Sequence, residues 1–245
     1  MFEEVPPEDI VMLAKRYGSP AIAYTYNEPI VWYEYVLETT KLAKKEGIRN
    51  VLVTNGYISP EPLEELAKYI DAANVDVKVF DSKKYVTKVL GKLEPVLQAI
   101  EMMKEKHIHV ETTNLIVPKF NDETELFIKL VEWQLDKLGP DTPLHVSRFH
   151  PTYKYMHVPP TSVSLIEKFW VLAREKGLNY TYIGNVPGHH GENTYCHECG
   201  RLLIGRYGFE IIEWHITNDG RCEYCSAKIP VIGGRWKGRP MAFLF

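Results

Sequence analysis

Six β-prone runs separated by amphipathic stretches recur at roughly 25 to 35 residue intervals, and this alternation constrains the chain more than any other feature. The runs fall at residues 21–26, 51–54, 74–80, 109–117, 144–149 and 180–183. Between them, residues 29–46, 59–70, 93–106, 122–138 and 162–176 carry apolar side chains at helical spacing, as in Val31, Tyr35, Leu42 and Ala43. Gly47 closes the first of these helices, while Ser59 and Pro60 open the second as cap and first-turn residue. Strands that alternate with helices pair in parallel and bury both faces of the sheet under helices or in a barrel. Right-handed crossovers then leave an open doubly wound sheet or a barrel of the (β/α) type.

Two observations favour an α/β fold of the partial (β/α) TIM-type barrel. Each run ends in polar, chemically capable residues, which places many of them at one shared mouth. No glycine-rich phosphate loop follows any run, as a nucleotide-binding doubly wound domain requires. Past Gly184 the periodicity stops, and Gly, His, Asn and Cys crowd together. The expected organisation is a barrel over residues 1–190, a cysteine unit over 191–230 and a tail over 231–245 whose apolar end docks on the body.

The net charge of -3 gives no pull toward nucleic acid or an anionic membrane. The start, Met1-Phe2-Glu3-Glu4, is acidic and lacks the apolar segment of a signal peptide, and no run reaches the 18 apolar residues of a membrane span. A cytoplasmic location is expected.

All four cysteines of the chain sit in two CxxC knuckles, Cys196/Cys199 and Cys222/Cys225. Two residues between cysteines let both sulfurs of a knuckle face one ion, and two knuckles complete a four-thiolate site. Residues 202–207 and 209–215, with Gly208 at the bend, read as a hairpin between the knuckles, so the unit is expected to be a zinc ribbon folded by its metal. Four thiolates also suit an iron–sulfur cluster, and that alternative stays open. Disulfides are disfavoured in a reducing compartment.

The strand ends supply the candidate site, each residue with a plainer alternative. Glu28 is an acceptor for an amine or hydroxyl, or a carboxylate at a helix N-terminus. Asn55 is a ligand group, or an Asx turn before Gly56. Alternation puts Asp76 and Lys78 on one face, where they bind a ligand or each other. Glu111, Thr112, Thr113 and Asn114 make the fourth run unusually polar. His150 is a proton carrier or a stacked structural ring, and His189 and His190 are loop or substrate-facing residues rather than metal ligands.

The strings YTYNEP at residues 24–29, VTNGYISPEPL at 53–63, NVDVK at 74–78, HVSRFHP at 145–151, VPPT at 158–161 and GNVPGHHGENTYC at 184–196 resemble the radical S-adenosylmethionine (SAM) superfamily. Within it they resemble the pyruvate formate-lyase activating enzyme branch and the AmmeMemoRadiSam-system enzymes. The resemblance spans about residues 5–230 and implies a partial (β/α)₆ barrel. It implies a 4Fe–4S cluster held by CxxxCxxC after the first strand, and reductive cleavage of SAM to a 5′-deoxyadenosyl radical. By position, Tyr26, Asn27 and Glu28 stand where the family holds the SAM amino group. Thr54, Asn55, Asp76 and Lys78 stand where it lines the ribose and carboxylate. Residues 114–117 would flank adenine, and His150 would lie beside the nucleoside.

The departure from the family is the absence of CxxxCxxC from these 245 residues. The expectation is that the first strand and cluster loop are missing here, through truncation or through natural loss of the cluster, and that this chain cleaves no SAM by itself. The other readings are a non-catalytic zinc-containing SAM-binding scaffold and a metal-dependent barrel lyase or hydrolase using His150 and Asp76. A peptide, a glycyl-radical partner and a small molecule all remain open as substrate.

Overall fold

The computed structural model describes residues 5–234. Strands β1 (Ala21–Tyr24), β2 (Arg49–Thr54), β3 (Ala72–Asp76), β4 (His109–Ile116), β5 (Leu144–Arg148) and β6 (Thr181–Gly184) pair in sequence order, all parallel. β1 and β6 lie at opposite ends of that order, so the sheet is an open arc, in line with the expected partial barrel. Between strands run α2 (Tyr33–Lys45), α3 (Pro60–Ala67), α4 (Ser82–Lys84), α5 (Leu93–Glu105), α6 (Thr124–Lys137) and α7 (Val163–Glu175). A further helix, α1 (Pro7–Arg16), was not expected; it packs Val11 and Ala14 on Ala43 and Ile48.

Alternation along β4 sets the two faces of the sheet. Val110, Thr112, Asn114 and Ile116 are buried beneath the helices, while His109, Glu111, Thr113 and Leu115 lie half-buried on the opposite, concave face. The core is therefore on the helix side, where Phe127 of α6 stacks on Phe169 of α7 at 4.3 Å. Apart from the Thr181 hydroxyl, the buried side-chain polar atoms of the described residues are satisfied. Asn50 accepts from the Tyr24 hydroxyl at 2.8 Å and donates to the carbonyls of Thr40 and Tyr69, both at 3.0 Å.

Several expected boundaries shift. β1 stops at Tyr24 and β3 at Asp76, two and four residues short of their runs, and α3 ends at Ala67. Past β3, Val77 still donates to the carbonyl of Thr113 at 2.9 Å, so Lys78 sits on an extended strap beyond the strand. The helix over 29–46 begins as a 3₁₀ turn, Pro29–Trp32, before α2.

The cysteine unit is a second, antiparallel sheet of β7 (Thr194–Tyr195), β8 (Leu202–Tyr207) and β9 (Glu210–Trp214). Gly208 makes the hairpin bend at φ +57°, a left-handed conformation that glycine adopts freely. Its small core of Leu203, Ile204, Ile216 and Ile229 includes Tyr180, just before β6. The hydroxyls of Tyr180 and Tyr182 reach His197 and Thr194 at 2.8 and 2.9 Å, which docks the unit on the β6 end of the arc. Among the described residues no helix is long and apolar enough to cross a membrane. The expected docking of Ala242-Phe243-Leu244-Phe245 lies outside the described residues.

Candidate functional site

The carboxyl ends of β1 and β2 meet through Glu28. Its Oε1 accepts from the Thr54 hydroxyl at 2.6 Å and from the Ile30 amide at 3.2 Å, and its Oε2 accepts from the Asn55 amide at 2.7 Å. The cap of the 3₁₀ turn and the strand-end hub are thus one carboxylate. An ionised carboxylate offers about four acceptor positions, and these bonds fill three. Gly56 makes the hub possible: at φ +70°, a Cβ there would meet Val75 Cγ1 at 2.7 Å. Asn55 spends its side chain on an Asx turn, accepting from the Tyr57 amide at 2.8 Å. Tyr26, 87% exposed, and the exposed Asn27 stay outside the hub.

On the next strand end, Lys78 pairs with Asp76, each side chain about one third exposed at 36% and 34%. The strap that carries Lys78 is fixed from below. Asn121 donates to the Lys78 carbonyl at 2.7 Å, and Asn114 to the Val77 carbonyl at 2.6 Å. Across the mouth, His150 is exposed and its Nε2 lies 3.2 Å from the Asn185 carbonyl. Asn185 in turn donates to the Arg148 carbonyl at 3.0 Å, tying the loops after β5 and β6 together. Arg148 donates through Nε to the Thr161 carbonyl at 2.7 Å. His189 is built into the loop: Nδ1 accepts from the Gly191 amide at 2.9 Å, and Nε2 lies 3.0 Å from Glu167.

The concave face holds a group that the motifs did not single out. Glu111 bridges two imidazoles, with Oε1 3.1 Å from His109 Nε2 and Oε2 2.6 Å from His145 Nε2. Burial pushes the Glu111 carboxyl up, but the two imidazoles outweigh it and hold the group well below the usual carboxylate range. The signal was present as His109-x-Glu111-x-Thr113, a strictly alternating polar face, and His145 lies within the string 145–151.

The four cysteine sulfurs lie within 4.8 Å of one another, with Cys196–Cys225 at 3.6 Å and Cys199–Cys222 at 3.8 Å. A tetrahedron with metal–sulfur bonds of about 2.3 Å has sulfur–sulfur edges of about 3.8 Å. The donor set therefore fits one thiophilic ion. Burial raises the Cys222 thiol, but the amides of Tyr224 and Cys225 and the neighbouring thiols prevail and lower it to about 7. Against the Ala227 amide, the neighbouring thiols push Cys225 up, so without an ion the cluster favours a single thiolate at Cys222.

The family model for the radical SAM superfamily matches residues 1–131, just over half of the chain. An uncharacterized protein of Methanocaldococcus jannaschii, MJ0808, is 48% identical over 234 residues, which are 94% of this chain and 69% of that protein. The 4-hydroxyphenylacetate decarboxylase activating enzyme of Clostridium scatologenes is 26% identical over 138 residues, 54% of this chain. The match covers 44% of that enzyme, so the chain spans under half of its length. Among solved structures, a domain of pyruvate-formate lyase-activating enzyme from Bacteroides vulgatus superposes with a TM-score of 0.59 at 16% identity. That superposition covers 68% of this chain and 100% of the domain, and it shows a shared fold.

Proposed function

This chain belongs to the radical SAM superfamily, and on that premise we propose that it is the SAM-binding body of an enzyme resembling the glycyl-radical activating enzymes. The observation that carries the reading is the hub at Glu28, a strand-end carboxylate that accepts three hydrogen bonds and has one acceptor position unfilled. That position suits the ammonium group of the methionyl moiety. Lys78 supplies the countercharge for its carboxylate and Asp76 an acceptor for ribose hydroxyls, so ligand binding would exchange the Asp76–Lys78 pair for two ligand contacts. His150, anchored on Asn185, flanks the nucleoside end.

In this family, SAM reduced at a 4Fe–4S cluster supplies a radical that abstracts hydrogen from a substrate. The 245 residues hold no thiolates outside the two knuckles, and the knuckles fit a single ion. We assign zinc to the knuckles and no cluster-dependent step to these residues. The chain reconstituted with iron, sulfide and reductant is expected to release no 5′-deoxyadenosine, and release above the protein-free background would contradict this. Binding is tested separately by ultraviolet crosslinking of SAM. The adduct is expected on peptides holding residues 26–28, 54–55 or 76–78, and an adduct spread over unrelated peptides would refute the site.

A further inference from the structure

We propose that the concave face carries a second site, for a small molecule bearing a carboxylate or phosphate group, with Arg206 of the cysteine unit as its anion-binding residue. β5 pairs with β6 so that His145 stands opposite Tyr182, and their rings stack at 5.2 Å. Glu111, on the neighbouring strand, holds His145 from the other side. From the docked unit, the guanidinium of Arg206 lies over the Tyr182 ring, 5.5 Å from its centre. Four strands thus bring one carboxylate, two imidazoles, a phenol ring and a guanidinium to one place.

The guanidinium is fixed but incompletely used. Nη1 donates to the Thr194 hydroxyl at 2.8 Å and to the Glu192 carbonyl at 3.1 Å, which sets its plane. Among the described residues, Nε and Nη2 have no acceptor, and no carboxylate lies within ion-pair distance. Glu111 makes no ion pair with Arg206, since both of its oxygens face imidazoles. A half-buried guanidinium with its edge free matches the planar, two-oxygen edge of a carboxylate or phosphate.

Space is present on both sides. One cavity of about 460 Å³ runs from Glu111 and His145 to Asn185 and Pro187 near the mouth. Another of about 630 Å³ runs from His109 toward the start of the sheet. Glu111, Tyr182 and Arg206 line both, so the charged cluster stands where they meet. Cavities of roughly 300 to 1,000 Å³ take small organic ligands. The hairpin that bears Arg206 is latched in place, since Glu192 accepts from the amides of Gly188 at 3.0 Å and Gly208 at 3.4 Å. The metal-bound unit therefore has a reason to be docked on the barrel: it completes the site. Calling the ligand a substrate rests on the SAM-binding reading; its binding does not.

The test uses the full chain with its metal, and inorganic phosphate, succinate and the neutral succinamide as probes. The side-chain NMR signals of His145 and Tyr182 are followed during titration. Phosphate, succinate or both are expected to shift them saturably, and succinamide is not. A response to phosphate alone assigns a phosphate ligand, and a response to succinate alone a carboxylate. Arg206→Gln is expected to weaken binding at least about tenfold, with Arg206→Lys retaining part of it. Should Arg206→Gln lose the metal or unfold, His145→Gln replaces it, and is expected to weaken binding too. No saturable shift with either anion, an equal response to succinamide, or unchanged binding in a folded Arg206→Gln would overturn the proposal. SAM titrated into the same samples separates the two sites. Loss of the anion response with SAM binding intact removes only this inference, and the reverse removes only the mouth.

Discussion

Replacing Glu28 by alanine removes the acceptor for three donors at once, and the cost follows from their geometry. The bonds from the Thr54 hydroxyl at 2.6 Å and the Asn55 amide at 2.7 Å are short and charge-assisted, in a class that contributes about 1.5 to 3 kcal/mol each. The Ile30 amide at 3.2 Å is an N-cap contact of about 1 kcal/mol. Glu28 and Asn55 are only half-buried, so water partly replaces the lost acceptor and the lower ends of those ranges apply. Thr54 also keeps its acceptor role, since its oxygen takes the Gly56 amide at 3.1 Å. Glu28→Ala should then destabilise the chain by about 4 kcal/mol. Glu28→Gln retains one carbonyl oxygen but turns an N–H toward a donor, and should cost about 2 kcal/mol. Urea unfolding followed by tryptophan fluorescence measures both, with Trp32 in the adjoining turn as a local probe. A Glu28→Ala midpoint indistinguishable from the parent, or equal losses in the two variants, would refute the reasoning.

Three further outcomes follow from the same geometry. Cys222→Ser, or chelation, should leave the barrel folded while residues 191–230 become protease-sensitive, because the unit's core is small and metal binding supplies about 10 kcal/mol or more to such sites; unchanged protection would contradict this. Gly56→Ala should cost about 2 to 4 kcal/mol by urea unfolding, from the left-handed backbone and the clash with Val75. Glu111 has its pKa lowered on folding, so its contribution is complete above the unfolded value near 4.5 and is lost as pH falls below it. The parent's urea midpoint should therefore fall between about pH 5 and 3 more steeply than that of Glu111→Gln, and equal slopes would count against the bridge.

The sheet was legible because six β-prone runs and their intervening helices repeat one unit, which leaves few topologies. What escaped was short or depended on pairing in space. α1 carries Pro7 in its first turn, Glu8 and Asp9 near its start and Lys15 and Arg16 near its end, all cues that precede Gly18, yet it lies outside the β–α repeat. β7 is two residues long and exists only against β8. In the site, Glu28 was readable as both a cap and a ligand-facing carboxylate, and it is the cap that positions it. Asp76 and Lys78 pair, as two charges on one face must when neither is solvated in full. The polar run 111–114 was visible, but only alternation separates its halves. Thr112 and Asn114 stabilise the helix side, where Thr112 donates to Gln134 at 2.6 Å, while Glu111 and Thr113 face the concave side. Arg206 could not be found from sequence, since its place depends on how the cysteine unit docks.

Isothermal titration of SAM into the purified, zinc-loaded chain measures directly whether this chain binds SAM through Glu28. Saturable binding in the range up to about 1 mM is expected, weakened at least about tenfold in Glu28→Gln, the milder variant, with its fold checked by circular dichroism. No heat beyond dilution for the parent chain, or equal affinity in the folded variant, would contradict the claim.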